Sequence, residues 1–413
     1  MEQIINFDNL AGKRVLLLGD SRMAFPIAKA MSQNRISVFA GVSIYSNYLE
    51  WSRHIQGTFR HPSTDPGTDA ALPYILEWLE QNDGIDAIQP VSESASRLIT
   101  RHRDTFEQHA RLIMPTRETI ALCSNKGQMF QLCDQLDLPL APFRLVHSKD
   151  TLLEAAREVG FPLIVKPSTV DAELFTRKAL IAHSFDDLQE QFPDWPEIHP
   201  ELILQKYVQG PRHSVIFSAD KGKLLKAVEV AALRTHEDDG TGYTTFGVTV
   251  APNPIVKSAT ERLVKNLNYT STGCAQFIID PESQAVTFME LNPRTSLARI
   301  AEAAGVPHSL LGLASALDLV PPTNGRAWDT KTGVRYVWTK GDLMRIKRGL
   351  QTSDKSFARA SSDLLNALGD AFRSRHAIFD LTDPAPAFGT YFNFAIKHLR
   401  KPPLPMGQLD QLV

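Results

Sequence analysis

The stretch GCAQFIIDPESQAVTFMELNPRTS, residues 273–296, contains two apolar runs separated by a polar turn. The runs CAQFIID and AVTFMEL have the composition of buried strands, and PESQ between them has that of a turn. The sequence therefore predicts an antiparallel hairpin. In this hairpin Gln276 and Glu290 lie on adjacent strands and face the same side, and Asn292 returns to that side because it follows Glu290 by two residues.

The polar side chains of the predicted hairpin suit a divalent cation. Gln276, Glu290 and Asn292 all offer oxygen atoms, and Mg²⁺ is usually held by one or two carboxylates together with substrate phosphates. Arg294 follows directly and can bind a phosphoryl group during its transfer. The alternative interpretation of the same residues is a plain ion pair between Arg294 and Glu290.

Two lysines and one strand upstream of the hairpin are candidates for nucleotide binding. Lys126 lies early in the helical pattern SNKGQMFQLCDQL, and Lys166 ends the apolar run FPLIVK. A lysine at the end of a buried strand places its ammonium at a domain edge, where it can meet phosphates. The stretch ELILQKYVQG, residues 201–210, reads as an edge strand whose backbone can face an adenine ring.

The N-terminal part of the chain alternates between strand and helix patterns. RVLLL at 14–18, a helical pattern and ISVFAGVSI form a βαβ unit, and the alternation continues to residue 115. We therefore predict a doubly wound α/β domain over 1–115. Its first turn reads GDSRMA rather than GxGxxG, which argues against dinucleotide-dependent hydride transfer.

The remainder of the chain has a different pattern of strands and helices. From residue 116 the pattern is α+β, with a hairpin turn predicted at Asp220-Lys221-Gly222. We place a second domain at 116–320. Residues 321–413 form a C-terminal extension to which the sequence assigns no role.

Composition excludes several classes of protein. The chain has 413 residues, 43% of them hydrophobic, and a net charge of −2, which is typical of a globular protein without a basic field for nucleic acid. The three cysteines form no CxxC, and no HExxH or GxSxG occurs. The chain begins without a signal-like apolar segment, and no apolar run is long enough to cross a bilayer. We expect a cytoplasmic protein without nucleic-acid partners.

The order of the elements resembles the ATP-grasp superfamily, in particular its carbamoyl-phosphate synthetase-like and carboxylate–amine ligase members, over residues 1–320. The resemblance implies a Rossmann-like first domain and an ATP-grasp domain whose lid lies at 140–207. It implies ATP-phosphate contacts from Lys126 and Lys166. It further implies an adenine site at Gln205, Lys206, Tyr207 and Val208, Mg²⁺ (or Mn²⁺) ligands at Gln276, Glu290 and Asn292, and catalytic arginines at Arg294 and Arg299.

The implied function is that of an ATP-dependent ligase. It would convert a small-molecule carboxylate into an acyl phosphate for attack by an amine, and a homodimer is compatible with the resemblance. One alternative is an enzyme that activates bicarbonate, as a carboxylase or carbamoyl-phosphate-forming enzyme does. The other is a nucleotide-binding module without turnover.

Three departures from the superfamily pattern bear on nucleotide binding, and the first two favour the non-catalytic alternative. The loop PSTVDAELFTRKA after Lys166 contains no glycine, although glycines usually let that loop wrap the phosphates. Gly210-Pro211-Arg212-His213 stands where many relatives have Gly-x-Glu. Lys206 stands where many relatives have glutamate.

Substrate contacts are predicted in two further places. In relatives the region of 235–249 faces the acceptor substrate, which makes Arg234, Asp238 and Tyr243 candidates; an ordinary loop is the alternative. Glu93 follows a predicted strand of the first domain and either lines a cleft there or is the first-turn acid of a helix that opens at Ser92.

Overall fold

The computed structural model of the protein describes residues 5–19, 21–43, 48–64, 68–169, 172–175, 177–238, 240, 242–323, 325–352 and 356–399. Three residues of the predicted phosphate loop (170, 171 and 176) and the end of the C-terminal extension (400–413) lie outside the described residues.

A parallel sheet forms the N-terminal part of the molecule, in the order β3-β2-β1-β4-β5. Its strands are β1 (Arg14–Leu18), β2 (Ser37–Ser43), β3 (Gly57–His61), β4 (Ala87–Pro90) and β5 (Arg111–Leu112). The helices along this part are α1 (Ala24–Gln33), α2 (Leu72–Gln81), α3 (Glu93–Arg101), α4 (Arg103–Glu107), α5 (Arg117–Ser124) and α6 (Lys126–Gln135), with short 3₁₀ turns at Asp8–Leu10 and Leu49–Trp51. The central strands β1 and β4 are almost wholly buried, which explains why their sequences are continuous apolar runs.

The carboxyl ends of β1 and β4 lie side by side, although the two strands are far apart in the chain. Gly19 has φ +109°, and a Cβ there would lie 2.3 Å from Ser92 Oγ, so only glycine allows the turn after β1 to pass this close. The point where strand order reverses is where open α/β sheets form a crevice. Arg22 and Glu93 follow β1 and β4 at this edge.

A four-stranded antiparallel sheet comes next, in the order β6-β9-β7-β8. Its strands are β6 (Phe143–Val146), β7 (Leu163–Pro167), β8 (Leu180–Ala182) and β9 (Leu202–Lys206), and its helices are α7 (Lys149–Val159) and α8 (Phe185–Gln191). Leu152, Leu163 and Leu204 belong to a hydrophobic cluster made entirely of residues from this part of the chain.

A seven-stranded sheet holds the hairpin quoted above, in the order β14-β13-β10-β11-β12-β15-β16. Its strands are β10 (Arg212–Asp220), β11 (Lys223–Thr235), β12 (Thr244–Val250), β13 (Ser271–Ile279), β14 (Val286–Asn292), β15 (Arg335–Val337) and β16 (Arg375–His376). Helices α9 (Pro254–Asn266), α10 (Ala298–Ala303) and α11 (His308–Ala316) accompany it. The turn between β10 and β11 has positive φ at Lys221 and Gly222, as a tight hairpin requires.

The C-terminal extension contributes two strands to that sheet. β15 pairs with β12, and β16 pairs with β15. Helices α12 (Thr339–Gln351), α13 (Phe357–Phe372) and α14 (Ala385–Leu399) complete the described chain. One side of α13 packs with Ala360, Ala367 and Ala371 buried, while its other side exposes large apolar side chains, Phe357, Leu365, Leu368 and Phe372.

The result is a mixed α/β fold with one parallel and two largely antiparallel sheets. Two local sequence interpretations need correction. The helical pattern SNKGQMFQLCDQL contains a break at Asn125, between α5 and α6. The Asn125 side chain caps α6 by accepting from Gln128 N at 2.9 Å. Strand β3 has no counterpart in the sequence prediction, because it is an edge strand whose residues are largely half-buried or exposed.

The described ranges show neither an exposed cysteine nor a membrane-spanning helix. Cys123, Cys133 and Cys274 are buried free thiols, and burial raises their pKa values to about 12, 12 and 11 respectively. Within the described ranges, no helix combines the length and the apolar character needed to span a bilayer.

Candidate functional site

The predicted metal-ligand residues lie on two paired strands, Gln276 inside β13 and Glu290 and Asn292 at the end of β14. Gln276 on β13 is directly opposite Glu290 on β14, and a bulge follows Gln276. Asn292 Nδ2 donates to Glu290 Oε1 at 2.8 Å, so the Asn292 amide oxygen faces away from that bond. All three side chains are half-buried, so the group remains open on one side.

Arg294 links this group to the parallel sheet. Its Nη2 lies 3.5 Å from Asn292 Oδ1 and 3.4 Å from Glu93 Oε2, and its Nη1 donates to Ser296 Oγ at 3.3 Å. Burial acts to raise the pKa of Glu93, but the positive charges of Arg294 and Arg97 outweigh it and hold that pKa below its usual value. The pairing of Arg294 with Glu290 alone, the alternative considered from the sequence, is not among the contacts of the described residues.

The structure places Glu93 in the first turn of α3, as one of its two sequence interpretations expects, and also in contact with Arg294. Ser92 caps α3 by accepting from Ala95 N at 3.2 Å, which makes Glu93 the acid of the first turn. The same carboxylate also reaches Arg294 across the edge of the parallel sheet.

A buried hydrogen-bond chain supports the loop that carries Arg294. Gln89 Nε2 on β4 donates to Thr295 Oγ1 at 3.1 Å, and Thr295 Oγ1 lies 3.0 Å from Thr272 Oγ1 on β13. The chain fixes the residue that follows Arg294 against two sheets at once. Sequence reasoning missed these residues, because an isolated glutamine or threonine in a strand carries no signal.

The two predicted phosphate lysines lie close together. Lys126 is the first residue of α6, and its amide donates to the carbonyl of Ser168, just after β7, at 2.6 Å. Lys166 Nζ donates to Gln205 Oε1 at 3.0 Å and lies 4.7 Å from the centre of the Phe130 ring. Burial and the charge of Lys126 lower the pKa of Lys166 to about 7, and Glu290 acts in the opposite direction.

The predicted adenine segment begins on β9 and continues past its end. Gln205 is buried and Lys206 is the last strand residue, while Tyr207 and Val208 follow in a half-buried connection. The amides of Lys206 and Tyr207 donate to the carbonyls of Pro142 and Pro162 at 2.8 and 3.1 Å, and Lys206 Nζ donates to the carbonyl of Phe161. These bonds occupy the two amides and one of the three donors of the Lys206 ammonium.

Arg212 joins the site although the sequence presents it only as a departure from a pattern. Ser214 on β10 pairs with Gln276, and Arg212 lies two residues earlier on the same face. Burial lowers the pKa of Arg212, with Glu290 opposing the shift, and its Nη2 donates to Thr244 Oγ1 at 3.2 Å. The two-residue spacing from Ser214 is the signal that locates it.

The other predicted residues do not join this group. Arg299 Nη2 pairs with Asp380 Oδ2 at 2.5 Å, and its catalytic role stays a prediction. Arg234 makes two bonds to buried Asp342, at 2.7 and 2.8 Å, and Asp238 pairs with Arg345 at 2.6 Å. These contacts fasten the end of β11 to α12 and α13. Tyr243 lies in an aromatic group with His236 and Trp338.

The donor set fits Mg²⁺ that arrives on nucleotide phosphates. Glu290 supplies one carboxylate, and Gln276 and Asn292 supply amide oxygens, which is a sparse set for an all-protein cage. No cluster of three or more His, Cys, Asp or Glu side chains suited to a metal occurs in the described parts of the chain.

Comparison with known proteins agrees with this geometry. Residues 125–308 match the family described as "Carbamoyl-phosphate synthase L chain, ATP binding domain". The chain is 23% identical over 219 residues to the carbamoyl phosphate synthase arginine-specific large chain of Bacillus subtilis, covering 49% of this chain and 20% of that one. It is 26% identical over 211 residues to the carbamoyl phosphate synthase large chain of Clostridium acetobutylicum, covering 49% and 19%. The chain thus spans about a fifth of the length of these relatives.

Solved structures share the fold over a longer part of the chain. Biotin carboxylase from Campylobacter jejuni, in complex with β,γ-ATP, superposes with a TM-score of 0.64 at 17% identity, covering 78% of this chain and 74% of that one. An ADP complex of N5-carboxyaminoimidazole ribonucleotide synthetase gives a TM-score of 0.56 at 17% identity, with coverage of 78% and 81%. Residues 125–308 of this chain are therefore similar to the ATP-binding domain of carbamoyl-phosphate synthase large chains, and the solved structures show a similar fold over a longer part of the chain.

Proposed function

We propose that the protein is an ATP-dependent ligase that phosphorylates a small-molecule carboxylate to an acyl phosphate, which an amine then attacks with release of phosphate. The observation that carries the proposal is the convergence of Gln276 on β13 with Glu290, Asn292 and Arg294 at and just after the end of β14. This group needs only a nucleotide phosphate to complete the coordination of a cation.

The positive side chains have separate roles in this proposal. Lys126 and Lys166 bind the phosphates of ATP. Lys166 is buried, and the low local dielectric strengthens the attraction between its ammonium and a phosphate. Arg294 holds the phosphoryl group as it passes to the acceptor. Gln205 orients Lys166 through its 3.0 Å hydrogen bond, and residues 205–208 bind the adenine ring.

Mg²⁺ at Gln276, Glu290 and Asn292 would neutralise phosphate charge during transfer. Because phosphoryl transfer needs little covalent chemistry from the protein, positioning and charge account for the catalysis. No side chain of this chain is required as a nucleophile.

We further propose a division into domains at 1–115, 116–320 and 321–413, with 140–207 as a lid over ATP. The four-stranded sheet falls inside the proposed lid and has a hydrophobic cluster of its own, as a unit that moves as one body needs. Closure would exclude water, which would otherwise hydrolyse an acyl phosphate.

The test is the release of ADP and phosphate from Mg²⁺-ATP in the presence of pooled amino acids, pooled small carboxylates or bicarbonate. We expect release to depend on an organic carboxylate pool and to fall by at least about a hundredfold in Glu290→Ala. Glu282→Ala is the matched control, since Glu282 is exposed in the turn of the same hairpin and should leave the rate unchanged.

Two other functions remain as outcomes of that test. Release only with bicarbonate would favour an enzyme that activates bicarbonate, and one solved structure that the chain resembles is a biotin carboxylase domain bound to bicarbonate. Tight ATP binding without release in any pool would favour a nucleotide-binding module without turnover. The absence of ATP binding would contradict all three functions.

A further inference from the structure

A guanidinium group between two aromatic rings lies where three parts of the chain meet. Arg22 follows β1, Tyr243 precedes β12, and Trp338 follows β15. The Arg22 Cζ lies 4.9 Å from the centre of the Tyr243 ring and 4.1 Å from that of the Trp338 ring. The two rings meet edge to face, with 6.3 Å between their centres.

The charge of Arg22 is not matched by a carboxylate in the described part of the chain. Its Nε is buried there without a hydrogen-bond partner, and no carboxylate described lies within ion-pairing distance of it. The arginines nearby are different, since Arg345 pairs with Asp238 and Arg348 pairs with Glu237. Because the two rings are perpendicular, the guanidinium can stack on only one of them; Tyr336 is a further neighbour, and the remaining N–H groups can bind a ligand.

The Arg22 site is partly exposed and is linked to Arg212 through the neighbouring residues Tyr243 and Thr244. Trp338 is buried, but Tyr243 is 37% exposed, so a small molecule can reach the stacked group from that side. Thr244, the residue after Tyr243, accepts the hydrogen bond from Arg212, and Arg212 lies on the face that carries Gln276. An acceptor substrate that contacts both Arg212 and the Arg22 site therefore extends from Arg212 towards Arg22.

We propose that Arg22, Tyr243 and Trp338 form a subsite for a carboxylate of the acceptor substrate, separate from the group that receives phosphate. The proposal rests on the proposed function and specifies its acceptor as an organic anion with a second, unreacting carboxylate. A singly charged carboxylate fits better than a phosphate dianion, because Arg22 is a single cation and the Glu237 carboxylate acts on the same imidazole, His236, that Arg22 does. The subsite also gives the C-terminal extension a role, since it supplies Trp338.

The test is isothermal titration of the full chain with succinate, glutamate, acetate, bicarbonate and inorganic phosphate, each at constant ionic strength, with and without MgADP. We expect a dicarboxylate to bind, and Arg22→Gln to weaken its Kd by about tenfold or more. Arg22→Lys keeps the charge but loses the stacked fork, so its Kd should lie between the two.

Arg157→Gln is the matched control. Arg157 stacks on Phe185 with 4.9 Å between its Cζ and the ring centre, in the four-stranded sheet region, and its removal should leave the Kd unchanged. Circular dichroism of each variant confirms that it is folded.

Three results would overturn the subsite: no organic carboxylate binds, Arg22→Gln and the unmodified chain have equal Kd values, or phosphate or bicarbonate binds in place of every carboxylate. Failure of the proposed function is a separate result, because it shows as a lack of carboxylate-dependent ADP and phosphate release, while the titrations without nucleotide still report on Arg22.

Discussion

At the scale of single residues, the most informative group is Lys166. Its pKa is lowered to about 7 by burial and by Lys126, so in the free protein its ammonium is largely deprotonated above neutral pH. Nucleotide phosphates would favour the charged form. Binding above neutral pH therefore has to take up a proton.

Calorimetry of MgADP binding at pH 8 in two buffers of different ionisation enthalpy measures this proton. We expect uptake by the unmodified chain, and an affinity that falls as the pH rises above about 7. Lys166→Arg stays charged and should bind MgADP without uptake at this position. Equal uptake in both proteins would assign the proton to another group.

The lowered pKa of Lys166 also makes the free energy of unfolding depend on pH, in the opposite sense to a salt-bridged lysine, whose pKa is raised. Its folded pKa lies below the unfolded value, so between pH 7 and the unfolded pKa of about 10.4 the unfolded chain binds more protons. Its contribution to the free energy of unfolding therefore rises with pH in this window.

Sequence reasoning located side chains that are neighbours along a strand more readily than those that meet across the fold. Glu290 and Asn292 are two residues apart, so strand periodicity alone places them together. The contact of Glu93 with Arg294 joins residues 201 positions apart, and no periodicity encodes it. The pairing of Arg299 with Asp380, 81 positions further along the chain, has no signal in the sequence for the same reason.

At the scale of elements, the connection between β9 and β10 depends on Gly210. A Cβ at this position would lie 2.3 Å from the backbone carbonyl oxygen of Ile279, at the end of β13. The connection links the predicted adenine segment to Arg212, so a shift there affects both.

We expect Gly210→Ala to lower the free energy of unfolding by about 1–3 kcal/mol and to weaken MgADP binding. Gly369→Ala is the control, because that helix position has open space around it and alanine should stabilise α13 by about 0.5–1 kcal/mol. Thermal melting and nucleotide titration of the two variants check this. Unchanged melting of Gly210→Ala would show that the connection can move freely.

Elements with strong local signals were predictable, and those that depend on neighbours were not. β1 coincides with the apolar run RVLLL because a buried central strand needs apolar residues on both faces. β3 and β16 are short edge strands, with two residues in the case of β16, and their pairing partners define them more than their composition does.

At the scale of the whole molecule, Asp380 ties the N-terminal and C-terminal parts to the middle of the chain. Its Oδ2 lies 2.5 Å from Lys29 Nζ on α1 and 2.5 Å from Arg299 Nη2 on α10. Burial acts to raise the pKa of Asp380, but hydrogen bonds from Lys29, Thr382 and Arg299 hold it well below its usual value.

We expect Asp380→Asn to destabilise the fold by about 2 kcal/mol, because it leaves two cations together without their carboxylate. In the unmodified chain this contribution is present above the unfolded pKa of about 4 and is lost as the pH falls below it. Asp318→Asn is the control, since its pair with Lys221 is exposed and should contribute nothing measurable. Equal melting midpoints for both variants would contradict the role of Asp380.

The three native thiols have a practical consequence for studying motion in this molecule. Since all are buried and their pKa values are raised, very little thiolate is present near neutral pH, and alkylating dyes attack thiolates. A cysteine introduced on the surface will therefore react in preference to them without any prior removal of native residues. A fluorophore pair placed on α7 and α9 can then report, molecule by molecule, whether the four-stranded sheet moves when nucleotide binds.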